Sequence, residues 1–293
     1  MEGADKPLTA DHADPIVLLS IGRLRSEPQH RLRNRMSNPN LVVENREFYD
    51  ALWSRAHLEH PNRFNTWPLV SALLPGVSTR LEIGPGLRPR LPISGTHFID
   101  ISAPAVQQLN ASGGCAVMGE IAALPYPDAE FGLVCAFDVI EHGEDDRQAF
   151  RELSRVLQDG AVLVFSVPLH EKSWTDFDAS VGHARRYEPA TLLARIEESG
   201  LTLEKSAAYG MAPKNPRLLK FGMDSLARHR TVAIHLYNWV LMPLGLLFQK
   251  RLKFGPGLID TNGIDEILLV CRRRRRTSSG SPVQESIMAA PAG

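Results

Sequence analysis

Residues 80–100 read RLEIGPGLRPRLPISGTHFID, and this stretch decides the fold class. A short apolar strand carries an acid, Glu82, and a glycine pair follows it, Gly84 and Gly86. A second apolar run ends in another acid, Asp100, 18 residues after Glu82. Glycine lets backbone N–H groups approach a ligand closely, and an acid at the tip of the next strand can accept hydrogen bonds from two ribose hydroxyls. The stretch therefore predicts a nucleotide-binding β-loop-β unit, with an ordinary tight turn as the alternative.

Composition limits the class of protein. The chain has 293 residues and 43% hydrophobic residues, which suits one large domain or one domain with appendages. Acidic and basic residues balance at 33 each, so we expect no nucleic-acid partner. The acidic first residues do not resemble a signal peptide, and no apolar run of about 20 residues is present to span a membrane. We expect a cytoplasmic protein.

The three cysteines stand far apart, without the spacing of metal ligands. Cys115, Cys135 and Cys271 all lie in apolar, strand-like runs. They are expected to be buried free thiols, which fits a reducing compartment. We expect no metal site.

Strands and helices alternate from residue 79 onward. The near-continuous apolar runs at 133–137 and 162–165 indicate strands buried on both faces, as in a parallel sheet covered by helices. The fold class is therefore α/β, a Rossmann-like doubly wound sheet that is mostly parallel. Expected strands are 80–83, 98–101, 115–118, 131–137, 161–168, 201–207 and 266–271, and expected helices are 47–56, 67–74, 102–110, 145–157 and 189–199.

Three further segments complete the expected organisation. Residues 1–42 are polar and are expected to be an N-terminal extension, ordered only in part. The domain would span 43–272 and include a helical insertion at 214–260, with helices at 216–228 and 231–250. Residues 273–293 are expected to be a disordered tail.

Several motifs, taken together and in order, resemble class I S-adenosylmethionine-dependent methyltransferases, closest to the broad group that includes the ubiquinone and menaquinone enzymes. The resemblance covers residues 80–200. Its motifs are 81–86 (LEIGPG), 98–102 (FIDIS), 119–128 (GEIAALPYPD), 131–142 (FGLVCAFDVIEH), 152–157 (ELSRVL) and 182–187 (GHARRY). It implies S-adenosylmethionine as cofactor, a sheet order of 3-2-1-4-5-7-6 with the last strand antiparallel, and methyl transfer to a small-molecule or lipid-like acceptor.

The resemblance assigns the adenosine end of the cofactor to three residues. Asp100 would accept from the ribose diol, and its alternative role is a charge at the start of the following helix. Glu120 would take the exocyclic amine of adenine while Ile121 packs on the ring. The alternative for Glu120 is a solvated loop acid.

The methionine end is assigned to the loop after the first strand. Gly84 and Gly86 would present bare backbone to it, and Glu82 would act indirectly by holding loop N–H groups or a bridging water. A plain strand-end charge is the alternative for Glu82.

Three further cofactor contacts are expected from other elements. They are Tyr49 as an aromatic cover, and Phe137 and Asp138 at the carboxyl edge of the fourth strand, where ligands of open α/β sheets bind. A packing tyrosine and a turn-capping aspartate are the alternatives.

One departure from the family pattern stands out. Arg88 occupies the place where the family often has a third glycine, and Pro89 and Pro92 preclude a regular first helix. We expect an irregular connection there. Arg88 would then pair with the cofactor carboxylate or remain a surface arginine.

His142 and His183 are the candidate catalytic residues, with His170 a weaker one. Histidine titrates near neutral pH and can deprotonate an accepting hydroxyl, although a turn or capping role is the alternative. Methyl transfer from a sulfonium is a direct displacement, and alignment alone can supply much of its rate.

The apolar segment at 231–253 is flanked by cations and has two interpretations: a lid packed on the core, or peripheral contact with a membrane or a lipid-like substrate. Two other functions stay open. One is a cofactor-binding protein without turnover, and the other a nicotinamide-dependent oxidoreductase.

Overall fold

The computed structural model describes residues 40–210 and 229–275. Within them, eight strands form one sheet: β1 Arg80–Ile83, β2 His97–Asp100, β3 Cys115–Met118, β4 Phe131–Phe137, β5 Leu157–Pro168, β6 Leu201–Tyr209, β7 Gly255–Pro256 and β8 Glu266–Arg273. The helices are α1 Asn40–Trp53, α2 Trp67–Leu73, α3 Ala103–Ala111, α4 Asp146–Val156, α5 Asp176–Ser180, α6 Pro189–Glu198, α7 Arg230–Leu236 and α8 Met242–Leu247.

The strand order is β3-β2-β1-β4-β5-β8-β6-β7. Strands β1 to β5 pair in parallel, and β8 runs antiparallel to both β5 and β6. The predicted α/β class and the predicted position of the last strand are confirmed. The sheet contains one short strand that was not predicted, the two-residue β7, which pairs antiparallel with β6 at the sheet edge.

Helices cover both faces of the sheet. On one face α4 packs over β5 and α6 packs over β6, and Phe150, Leu153 and Ile196 are buried there. On the other face α2 packs through Leu69 and Val70. The central strands are buried on both faces, as their unbroken apolar runs predicted.

Most predicted elements lie within two residues of the observed ones, with two differences in length. Helix α1 begins at Asn40, seven residues before its predicted start, because no helix breaker follows Pro39. Strand β5 begins at Leu157, which pairs with Phe131. Gly160, which falls between the predicted helix 145–157 and the predicted strand 161–168, is therefore a left-handed position (φ 78°) inside the strand.

The predicted helix at 231–250 is divided into three parts. A π-helical turn, Tyr237–Leu241, separates α7 from α8. The buried side chains of the segment recur every four residues, at Ile234, Asn238, Met242 and Leu246. That spacing exceeds the 3.6 residues of an α-helical turn, and the wider turn keeps the four side chains on one face.

The prediction that all three cysteines are buried is wrong for Cys115. Cys135 and Cys271 are free and buried in central strands, whereas Cys115 is exposed at the start of the edge strand β3. Within the described residues, no helix combines the length and apolar character needed to cross a membrane. The predicted extension up to residue 39, the helix at 216–228 and the tail from 276 lie outside the described residues.

Candidate functional site

The loop after β1 is organised by the carboxylate of Glu82. This side chain is buried and accepts hydrogen bonds from the backbone N–H of Arg90 (2.8 and 3.0 Å) and of Leu91 (2.8 Å). Residues 84–96 contain no helix, as the prolines predicted. Burial raises the pKa of Glu82 to about 7, against the lowering effect of the two amides. Glu82 therefore acts on the loop, in the indirect manner expected from the sequence.

Asp100 lies at the carboxyl end of β2 and joins two loops. Its Oδ2 accepts from the Gly86 N–H and its Oδ1 from the Ser102 N–H, each at 2.8 Å. Burial raises its pKa to about 6, and the amide hydrogen bonds oppose that rise. A carboxylate offers about four lone-pair sites, so these two hydrogen bonds do not exhaust its acceptor capacity. Asp100 therefore has a structural role, and its side chain is buried.

Helix α1 covers the loop. The indole of Trp53 lies so close to Gly86 that a Cβ there would stand 2.1 Å from Cζ2. A Cβ on Gly84 would stand 2.5 Å from Cγ2 of Val139. The expectation that both glycines present bare backbone is therefore wrong in this conformation, because side chains of α1 and of the turn after β4 pack on them.

Three hydrogen bonds help to hold α1 in that position. Asp50 Oδ1 accepts from the Ser102 hydroxyl (2.7 Å) and from the Ala103 N–H (3.1 Å), which ties α1 to the start of α3. Asn238 donates from Nδ2 to the Leu52 carbonyl at 3.0 Å.

Arg88 contacts the π-helical turn and the Trp53 ring instead of standing free at the surface. Its guanidinium donates to the Tyr237 hydroxyl (3.0 Å) and to Asn238 Oδ1 (2.9 Å) and lies 5.0 Å from the centre of the Trp53 ring. Arg88 therefore fastens the π-helical turn to the loop after β1.

The residues assigned to adenine are placed differently from one another. Ile121 is buried in the core cluster that contains Ile99, close to the end of β2. Glu120 is exposed.

At the end of β4, Phe137 is buried. Asp138 adopts a left-handed conformation (φ 53°), and its Oδ1 accepts a hydrogen bond from Ser166 Oγ at 2.6 Å. A non-glycine residue in that region of backbone space is uncommon, and such strain clusters at functional sites.

Tyr49 and the two candidate histidines form one connected group. Nδ1 of His142 faces the Gly182 carbonyl at 3.2 Å, and because a carbonyl only accepts, Nδ1 carries the proton. Nε2 of His142 then accepts from the Tyr49 hydroxyl, also at 3.2 Å. Burial, followed by the neighbouring His183, lowers the pKa of His142 to about 3. His142 is neutral, and burial raises the pKa of Tyr49 so that its hydroxyl keeps its proton.

His183 is oriented from behind by Asp178. Nδ1 of His183 lies 3.0 Å from Asp178 Oδ1, and the ring centres of His142 and His183 are 4.7 Å apart. Asp178 also accepts from Arg186 Nε (2.8 Å) and from the Thr175 N–H (2.8 Å). Burial alone would raise the pKa of Asp178, but the hydrogen bonds from His183 and Arg186 hold it below its usual value.

Glu141 was missed by the sequence analysis. It is 0% exposed, and neither carboxylate oxygen receives a hydrogen bond from another described residue. Its Oε1 lies 3.8 Å from Nε2 of His183. The signal was available in the adjacent pair Glu141-His142, directly after the apolar fourth strand. His170, in contrast, bonds the Thr261 carbonyl and lies outside this group.

Comparisons with known proteins agree with this geometry. Residues 88–165 match the family model described as a methyltransferase domain. A relative from Mycolicibacterium smegmatis, named as a probable S-adenosylmethionine-dependent methyltransferase, is 35% identical over 88 residues, which are 29% of this chain and 34% of the relative. The chain thus matches about a third of that relative's length.

A solved structure shows the same fold. The crystal structure of the 4+2 cyclase SpnF superposes with a TM-score of 0.51 at 17% identity, over 80% of this chain and 94% of that one. At that identity the comparison concerns the fold alone, and a fold does not fix an activity. Residues 88–165 are therefore similar in sequence to the methyltransferase domain family, and the sheet that contains them has a Rossmann-like fold shared with SpnF.

Proposed function

We propose that this protein transfers a methyl group from S-adenosylmethionine to an apolar, lipid-like acceptor. The use of S-adenosylmethionine as methyl donor is supported by the carboxyl edge of β1, β2 and β4. There Asp100 and the Gly86 loop meet beside the strained Asp138. The match over residues 88–165 crosses that edge. Ligands of open α/β sheets bind at such edges, next to the point where the strand order reverses.

The residues present fit the adenosine part of the cofactor. Asp100 is a buried acceptor with lone pairs to spare, and Ile121 offers an apolar surface next to β2. Glu120 is exposed at the loop that would flank the adenine. At the methionine end, binding against Gly86 requires the Trp53 indole to leave that face.

The chemistry proposed for the bound cofactor is a direct displacement at its methyl group. The protein's contribution is then to orient the two reactants and exclude water, since proximity alone can lower such a barrier by about 7–11 kcal/mol. A base with a pKa of about 3 has little driving force near neutral pH, which argues against His142 as the general base. His183 remains a candidate for that role.

The second half of the proposal rests on the segment from α7 to α8. Large apolar side chains line its outer face, and the two most exposed, Leu247 and Phe248, are 77% and 76% exposed. The other exposed large apolar side chains of this segment are Val232, Leu236, Tyr237, Trp239, Val240, Leu241 and Leu244, of which Tyr237 also contacts Arg88 and Trp239 also contacts His57. A concentration of exposed apolar side chains is typical of interaction sites.

Charge next to this face favours an anionic lipid surface as the partner. Lys250, Arg251 and Lys253 are all exposed and directly follow Phe248. An interfacial segment combines an apolar face with such cations. Since the opposite face of the segment packs on α1 through Ile234, a lipid acceptor entering here would reach the cofactor edge beneath α1.

Calorimetry with S-adenosylmethionine and with NAD on the full chain tests the cofactor. We expect one S-adenosylmethionine site per chain and no binding of NAD; the reverse would make the protein an oxidoreductase candidate.

Turnover is tested with methyl-labelled cofactor and a total lipid extract. Label in the lipid phase supports the proposal, whereas cofactor binding with no transfer to lipids or small molecules supports the alternative of a binding protein without turnover.

A further inference from the structure

We infer that Glu141, His142 and His183 form a binding site for one divalent transition-metal ion. One ligand atom from each residue can be chosen so that the three atoms lie within 4.8 Å of one another. In a tetrahedral site with bonds of 2.1 Å, ligand atoms stand roughly 3.4 Å apart. Small side-chain rotations would therefore close the three atoms around an ion.

Both histidine rings have the hydrogen-bonding arrangement that metal-binding histidines usually have. Each ring has one nitrogen facing an oxygen acceptor: Nδ1 of His142 faces the Gly182 carbonyl, and Nδ1 of His183 faces Asp178. Both Nδ1 atoms therefore carry a proton, so Nε2 of each ring is the atom that would bind an ion. An oxygen acceptor bonded to the ring nitrogen that does not bind the metal fixes the tautomer and the orientation of metal-binding histidines in this manner.

Glu141 supplies the second, independent observation. Its carboxylate is fully buried, it lacks a hydrogen-bond donor from the other described residues, and its Oε1 lies 3.8 Å from Nε2 of His183. A buried carboxylate without a donor is unfavourable unless a cation lies beside it.

The donor set selects the kind of ion. Two imidazole nitrogens and one carboxylate suit Zn²⁺ and its neighbours in the first transition series, whereas Mg²⁺ and Ca²⁺ prefer oxygen ligands. Three protein ligands leave at least one coordination position open. In the proposed methyltransferase an oxygen of the acceptor would take that position. Only this role of the ion, and not its binding, rests on the proposed function.

Tyr49 competes with the ion for His142. Its hydroxyl now donates to the Nε2 atom that the ion would bind, at 3.2 Å. Binding must therefore break that hydrogen bond. Tyr49→Phe removes the competitor while leaving all three ligands, so it should bind the metal more tightly than the parent chain.

The test uses the full chain after treatment with a chelator, without cofactor. Calorimetry with Zn²⁺ should show one site, and Co²⁺ should give visible absorption of a low-coordinate centre. Glu141→Gln and His183→Gln should each weaken Zn²⁺ binding at least about tenfold, and Tyr49→Phe should strengthen it several-fold. His60→Gln, which changes an exposed histidine that caps a short helix, should bind as the parent does.

Folding of the variants is checked by thermal unfolding in chelator. Glu141→Gln removes only a buried charge, so it should fold at least as stably as the parent, and Zn²⁺ should raise the melting temperature of the parent but not of the variant. The inference is overturned if the parent binds no more Zn²⁺ than Glu141→Gln, or if that variant unfolds in chelator. Because metal and cofactor binding are measured separately, failure of one leaves the result for the other unchanged.

Discussion

The indole of Trp53 lies on the backbone of Gly86, so close that a Cβ at Gly86 would stand 2.1 Å from Cζ2 of the ring. Gly86 has a φ of 54° and donates its N–H to Asp100. One glycine thus meets the covering helix on one side and the predicted ribose acceptor on the other. A side chain at this position cannot be accommodated without moving the helix.

Gly86→Ala should therefore cost more stability than an ordinary left-handed glycine. The positive φ alone costs about 1–2 kcal/mol for alanine, and the steric overlap with Trp53 adds about 1–3 kcal/mol. Gly113→Ala is the matched control, because Gly113 has a φ of 87° and nothing within 4 Å of its added Cβ. Chemical denaturation measures both variants.

A double-mutant cycle separates the cost of the positive φ from the cost of the steric overlap with Trp53. In a Trp53→Ala background, Gly86→Ala should lose the steric part of its cost and resemble Gly113→Ala. If Gly86→Ala costs the same with and without Trp53, the indole does not pack on this glycine in solution.

Asp100→Ala should weaken the binding of S-adenosylmethionine by about 1.5–3 kcal/mol, the scale of a lost hydrogen bond to a charged group. The carboxylate also accepts hydrogen bonds from the backbone N–H groups of Gly86 and Ser102, which the substitution removes. We expect unfolding to become easier by about 1–3 kcal/mol. Calorimetry on samples shown to be folded checks the affinity, and normal binding would exclude the ribose contact.

The raised pKa of Asp100 predicts a pH dependence of stability. Burial raises this pKa from 3.8 to about 6 in the folded chain. Between those values the unfolded chain releases the proton while the folded chain retains it, so stability falls as pH rises from about 4 to 6 and is then constant. The size is at most about 3 kcal/mol.

Asp100→Asn isolates this contribution, because asparagine does not titrate. Other carboxylates titrate in both chains, so the quantity to follow is the stability of the variant minus that of the parent, measured by urea unfolding at several pH values. It should increase with pH from about 4 to 6 and then level off. A difference that stays flat would mean that Asp100 is ionised throughout.

The sheet could be predicted because the signals for its strands lie within short stretches of the sequence. The apolar runs of β4 and β5 are unbroken, and the acids Glu82 and Asp100 follow the spacing of the fold. Pro89 and Pro92 correctly excluded a helix, since proline acts on its own backbone. The edge strand β7 could not be predicted in this way, because two residues carry no periodic signal.

The covering contacts were not predictable for a different reason. The contact of Trp53 with Gly86 joins residues 33 positions apart, and that of Arg88 with Asn238 joins residues 150 positions apart. Neither leaves a pattern in the sequence. The isolated carboxylate of Glu141 is likewise visible only when its surroundings are known, because the sequence shows an acid beside a histidine and not the absence of a donor.

The outer face of the segment from α7 to α8 should bind anionic membranes. Leu247 and Phe248 are the most exposed large apolar side chains there, and each would bury apolar area worth about 1.5–3 kcal/mol if it entered a bilayer interface. Leu247→Ser combined with Phe248→Ser should reduce binding to phosphatidylcholine vesicles containing phosphatidylglycerol by at least about tenfold. Leu193→Ser, at an exposed leucine on α6, is the control and should bind as the parent does.

Sedimentation with vesicles measures the bound fraction, and high salt should lower that fraction by screening Lys250, Arg251 and Lys253. Equal sedimentation of parent and double variant would show that this face is covered by something other than lipid. Binding to neutral vesicles that equals binding to anionic ones would remove the role of the cations and leave only the apolar contact.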